Sequence, residues 1–171
     1  MTNDIITTAA NLALALSFIV ALIFGVAQVR TAARDRRERL TLETLRNFQT
    51  REFAELIHSV ITRTMPSCRD ELEALPTTEL VLFIQLSQQM ESLGILVAEG
   101  LIDIDLVDKT LGSFVSNTWE KYKPLFLSIR EEAPDPFMGE YFQWLAERID
   151  ERMRESPRRP FHETASRAAP R

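Results

Sequence analysis

Apolar and polar positions divide this chain into one long uncharged run followed by amphipathic stretches of helical period. Residues 5–29 contain no charged side chain, and within them NLALALSFIVALIFGVAQV has only Asn11, Ser17 and Gln28 as polar exceptions. About 20 mostly apolar residues suffice for a helix to cross the hydrocarbon of a bilayer, so the run predicts a transmembrane anchor. Downstream there is no Gly or Pro from residue 31 to 63, which predicts that the anchor continues as a helical stalk, either unbroken or interrupted near residues 47–50. Leu42 and Leu45, then Phe53, Leu56, Ile57, Val60 and Ile61, recur at three- and four-residue steps, the period of one helix face. Pro66 marks the end of that helix and Pro76 the start of the next, where Leu80, Phe83, Leu86, Met90, Leu93 and Val97 form the stripe. Leu82, Ile84 and Ile95 widen it enough to predict burial on more than one side, and Gly100 supplies a helix stop.

A third amphipathic stretch begins with Asp103 as N-cap and Ile102 with Val107 as a hydrophobic staple. Its face is Val107, Leu111, Phe114, Trp119, Tyr122, Phe126 and Ile129, and Pro124 predicts a kink close to Tyr122. Pro134 and Pro136 mark a loop, and a last helix carries Phe137, Tyr141, Phe142, Trp144, Leu145 and Ile149. Beyond Met153 no apolar period remains, and a disordered tail is expected. No alternating strand pattern or hairpin turn is present. The expected fold class is all-α: a transmembrane helix continuing into a stalk, then a small cytoplasmic bundle of four helices. The corresponding segments are residues 1–29 (anchor), 30–48 (basic stalk), 49–154 (bundle) and 155–171 (tail).

Charge orients this arrangement. Arg30, Arg34, Arg36, Arg37 and Arg39 follow the apolar run, with Asp35 and Glu38 among them, whereas MTNDII before it has no Lys or Arg. That start is unlike a cleavable secretory signal. The positive-inside bias predicts an N-terminus outside and a cytoplasmic domain, with the five arginines touching anionic lipid headgroups. The net charge of the whole chain is −5, yet residues 41–155 hold 21 acidic and 11 basic residues, a net −10. Such a domain repels phosphate backbones, so no nucleic-acid partner is expected. Cys68 is the only cysteine, which excludes an intrachain disulfide and agrees with a reducing compartment.

Within the anchor, Ala9, Ala13, Ser17, Ala21 and Gly25 recur every fourth residue. A ridge of small side chains lets two helices approach closely, which points to a homo-oligomer through the span; an alanine-rich helix also generates such ridges by chance.

Motifs for chemistry are sparse. Asp103, Asp105 and Asp108 superficially resemble a calcium loop, but its glycine turn and distal glutamate are missing. Three acids in a first helical turn complement its dipole instead. His58 adjoins an apolar stripe, His162 lies in the tail, and Cys68 next to Arg69 has no evident base. Nucleophile elbows, phosphate-cradling glycine loops and zinc-protease motifs are lacking. Trp119, Tyr122, Tyr141 and Trp144 read as core, and Lys121 and Lys123 as the solvent side of their turn. No enzyme activity, metal or other cofactor is expected.

Gly100 with Asp103, Trp119 with Pro124 and Arg130, and then Tyr141, Phe142 and Leu145 form an arrangement that resembles an uncharacterised bacterial family of single-span membrane proteins with a cytoplasmic helical domain of unknown function. The resemblance implies topology, fold and a bacterial inner membrane, without an activity or catalytic residues. The expected role is a non-enzymatic, membrane-anchored interaction or scaffold protein that presents its acidic bundle to an unidentified protein partner or to a second copy. The alternative is a membrane-acting effector of a bacterial stress or antiphage response, working by assembly of its spans.

Overall fold

The first helix, α1 (Thr2–Asn47), runs for 46 residues, about 70 Å at 1.5 Å per residue. It belongs to a computed structural model that describes residues 2–132, 135–160 and 162–163. Every described side chain from Ile6 to Arg39 is exposed, after which Leu40, Thr41, Thr44, Leu45 and Phe48 turn one face into the protein. The apolar run and the basic stretch after it are therefore one helix. It stops at Asn47 because Thr50 caps the next helix: the Thr50 backbone is extended and its hydroxyl accepts from the Phe53 N–H at 3.2 Å.

Helix α2 (Arg51–Thr62) buries Phe53, Leu56 and Val60. Ile61, expected on the same stripe, is 65% exposed. The helix ends at Arg63, whose backbone is extended, and not at Pro66. Between Pro66 and Pro76, where a plain connector was expected, a short helix α3 (Arg69–Glu73) inserts Leu72 into the core. Its entry is held by the Glu71 carboxylate, which accepts from the Ser67 N–H at 2.7 Å and the Ser67 hydroxyl at 3.0 Å. The backbone bond and then the hydroxyl hold the Glu71 carboxyl below its usual range.

Three longer helices form the centre. In α4 (Thr77–Ala98) the buried face is Phe83, Leu86, Met90, Leu93, Gly94 and Val97. Ile84 and Ile95 remain exposed, so this face is narrower than its composition suggests. Gly100, at φ +66°, takes the left-handed conformation that stops the helix, and the Leu101 and Ile102 N–H groups return to the Leu96 carbonyl at 2.9 and 3.2 Å.

Helix α5 (Ile104–Glu132) begins with the expected cap: Asp103 Oδ1 accepts from the Asp105 N–H at 2.7 Å, and Ile102 and Val107 are both fully buried. It remains helical on both sides of Pro124, so losing one bond to the Glu120 carbonyl does not end it. Pro134 of the following loop lies outside the described residues. Phe137, expected on the last helix, is in the loop and 67% exposed. Helix α6 (Glu140–Glu155) buries Phe142, Leu145, Ala146 and Ile149 and leaves Trp144 38% exposed. Residues 156–160 have no regular structure; most of the expected tail, residues 161 and 164–171, lies outside the described residues.

α6 packs chiefly on α4 and α5. At the centre, Trp119 meets Phe142 edge-on at 5.2 Å between ring centroids, and Phe83 stacks on Tyr122 at 5.1 Å. α2 joins through Phe53, edge-on to Phe48 at 4.9 Å and to Phe114 at 5.4 Å. Lys121, expected on the solvent side, caps α2 instead: its ammonium donates to the Val60 carbonyl at 2.8 Å.

Candidate functional site

Among the described residues two helices are long and apolar enough to cross a membrane, and burial separates them. The apolar window of α1 has none of its surface buried, whereas a third of that in α4 is buried behind Phe83, Leu86, Met90 and Leu93. α4 is thus a core helix that passes a length-and-composition test. α1 presents a continuous apolar surface from Ile6 to Val29 without any protein cover. Exposed apolar patches of this extent mark a surface that meets lipid or another protein. The ridge residues Ala9, Ala13, Ser17, Ala21 and Gly25 all lie on this exposed segment, and a methyl added at Gly25 would meet nothing within 4 Å.

The five arginines continue on the same helix and are exposed, but their surroundings differ. Arg34 donates to Glu38 one turn on, at 2.9 Å, and this hydrogen bond, with the charge behind it, raises the guanidinium pKa. Arg37 faces the protein: its Nη2 donates to the Ile102 carbonyl at 3.4 Å and stands 4.0 Å from Asp103 Oδ2.

Thr41, one turn further and fully buried, completes the junction. Its hydroxyl donates to the Arg37 carbonyl at 2.8 Å and accepts from the Asp103 N–H at 3.0 Å. That N–H belongs to the N-cap of α5 and has no partner inside its own helix. Helix α1 is thereby pinned to the α4–α5 turn by a polar contact that sequence periodicity does not signal. Thr41→Val keeps the shape and removes the acceptor, leaving the part-buried Asp103 N–H unpaired at a cost of about 1 kcal/mol. The expected loss is read from the urea midpoint of the full chain in detergent, with Thr41→Ser close to wild type.

Other charged groups make contacts within the fold. Asp103 caps α5, Asp105 pairs with Arg152, and the buried Asp108 lies 3.5 Å from Arg158 of the segment after α6. The last is a charge contact without hydrogen-bond geometry, since Asp108 Oδ1 has no hydrogen-bond partner. Glu91, a lone acid in the apolar part of α4, reaches across to the start of α6 and accepts from the Tyr141 and Phe142 N–H groups at 3.2 and 2.9 Å. It is the one charged residue between Glu79 and Glu99, and that was the available signal. Arg130 closes the other side of that turn, donating to the Met138 carbonyl at 2.7 Å and to Gln143 Oε1 at 2.6 Å.

A cavity beside Tyr122, Phe83 and Ser59, with Arg63 and Glu79 paired at 2.8 Å, measures about 30 Å³. That is room for a water, far below a ligand site of roughly 300–1,000 Å³. Burial raises the Tyr122 phenol pKa well above its ordinary value, so it stays neutral and acts as a core group.

A search of curated proteins and a search of solved structures each return no match. A family model described as a domain of unknown function, DUF4760, matches residues 12–149. The match begins within the apolar segment of α1 and runs through the arginines, the junction and the bundle as far as Ile149 of α6. On that extent the chain belongs to the DUF4760 family.

Proposed function

We propose that this protein is a non-enzymatic, single-span membrane protein that holds an acidic helical bundle at the cytoplasmic face of a bacterial inner membrane, where the bundle meets a protein partner or a second copy. The observation that carries this reading is the uncovered apolar surface of α1 from Ile6 to Val29, rigidly continuous with a helix whose last turns enter the bundle. Burying such a surface in hydrocarbon is favourable by about 25 cal/mol per Å², and no other part of the described structure covers it. The arginines at its end support the orientation through the positive-inside bias. The family match, beginning at residue 12, supports treating apolar helix and bundle as one unit.

The test uses the native Cys68. The full chain should resist alkaline extraction from membranes, and a membrane-impermeant maleimide should label Cys68 only after the inner membrane is permeabilised. Release into the soluble fraction would sink the anchor, and labelling in cells with an intact inner membrane would reverse the orientation. A second reading, an effector that acts by assembling its spans, draws on the exposed ridge from Ala9 to Gly25. In that case the double substitution Ala21→Ile, Gly25→Ile abolishes cross-linked dimers, and overexpression of the wild type admits a permeability dye. Intact membranes favour placement over the effector.

A further inference from the structure

Where α1 leaves its apolar segment, it and the α4–α5 turn enclose a cleft of about 670 Å³. Ala33, Arg36, Arg37 and Leu40 come from one face of α1, at the spacing i, i+3, i+4, i+7 that aligns side chains along a helix, with Arg34 at the rim; Leu101 comes from the turn. Leu101 is 48% exposed, carried outward by Gly100, whose positive φ turns the chain there. The cleft is therefore lined by the side chains of Ala33, Leu40 and Leu101 together with three arginines. We propose that it is a binding site for the headgroup of an anionic phospholipid.

This inference rests on the anchored reading above. With 1.5 Å of rise per residue, Ala33 and Arg34 lie about 6–8 Å past Val29 and Arg36 and Arg37 about 10–12 Å, so the near end of the cleft meets the outer edge of a headgroup layer about 5–8 Å thick and the far end stands just beyond it. Arginine stems extend along apolar surface while their charged ends seek phosphate, and the guanidinium fork matches phosphate oxygens in pairs. The Arg34–Glu38 pair is solvent-exposed, the kind of contact that contributes little and yields readily to a phosphate. Arg37 is held by Ile102 and Asp103, so it sets the width of the cleft. The same face of α1 continues through Val29 and Val26, a path for the acyl chains below the headgroup.

The experiment places the full chain, carrying Cys68→Ser and Leu101→Cys, in nanodiscs of phosphatidylcholine alone or with one-fifth phosphatidylglycerol. The rate at which a soluble maleimide reaches position 101 is then measured. Phosphatidylglycerol should slow labelling at least about fivefold, the scale set by a single arginine at an anionic surface. Adding Arg34→Gln and Arg36→Gln should restore the phosphatidylcholine rate, whereas Arg46→Gln with Arg51→Gln, an equal charge change elsewhere, should leave the protection intact. Arg36→Gln alone, with the circular dichroism of the parent, guards against an effect of misfolding. Equal rates in both discs, protection that survives Arg34→Gln with Arg36→Gln, or the same protection by inorganic phosphate in phosphatidylcholine discs would each overturn the lipid site. Failure of the chain to enter discs at all would instead strike the anchored reading.

Discussion

Trp119→Ala is expected to lower the stability of the bundle by roughly 3–5 kcal/mol, a large part of the roughly 5–15 kcal/mol that holds a domain folded. Trp119 is 1% exposed and touches the rings of Phe126 and Phe142 with centroids at 5.7 and 5.2 Å. Its removal takes away one wall of the contact between α5 and α6, and helices joined by short loops cannot collapse fully into the space. Trp119→Phe should be milder than lost volume alone suggests, because the indole Nε1 is buried without a hydrogen-bond partner. Replacing it by an apolar edge removes a desolvation cost. Urea unfolding of the full chain in detergent, followed by far-ultraviolet circular dichroism, measures both. A Trp119→Ala loss below about 1 kcal/mol would show that the aromatic centre does not hold the bundle.

The second large effect belongs to a residue with no side chain. A methyl at Gly94 would lie 2.3 Å from the Tyr141 carbonyl oxygen and 2.6 Å from its carbon, so the backbones of α4 and α6 pass too closely there for any other residue. Gly94→Ala should therefore destabilise by about 1–3 kcal/mol or more, although alanine within a helix is otherwise favoured over glycine by up to about 1 kcal/mol. The shift would also pull Glu91 from the Tyr141 and Phe142 N–H groups that it caps.

Gly112→Ala supplies the contrast. Its methyl would meet Asp108 Oδ1 at 2.4 Å, but this is the end of a side chain that can rotate, so the cost should stay within about 1 kcal/mol. The sign of the difference between the two variants, read from their urea midpoints, checks the argument. A stabilised Gly94→Ala would mean that α4 and α6 tolerate a wider separation.

Much of the architecture follows from local pattern. Uncharged residues 5–29 and the arginines after them are visible without any fold. The stripes of α4, α5 and α6 carry their period in the residues themselves, the stop at Gly100 needs only its backbone freedom, and the cap at Asp103 needs only its own carboxylate. Local signals failed where two were in competition. The absence of Gly and Pro left a possible break near residue 47 undecided, and Thr50 settled it by capping α2. A proline-bounded connector concealed α3, whose Leu72 gains burial only once α5 is beside it.

Lys121, Glu91 and Thr41 each bond to backbone 50 or more residues away, and no periodicity records such a partner. The arginines illustrate the division most directly. As sequence they are five equivalent cations, and in the fold Arg37 turns to Ile102 and Asp103 while Arg34 and Arg36 border the cleft.

From the sequence alone came an all-α chain with one membrane-length apolar helix leading into an acidic domain, because helical period and the length of an uncharged run are properties of neighbours along the chain. Tertiary structure alone decided which apolar residues are covered: Ile61, Ile84, Phe137 and Trp144 stay exposed although their stripes predict otherwise. It also decided that Gly94 must remain bare and that Leu101 and Arg36 line one cleft. Those outcomes depend on where one helix axis passes another, a distance set by the whole core and carried by no single segment.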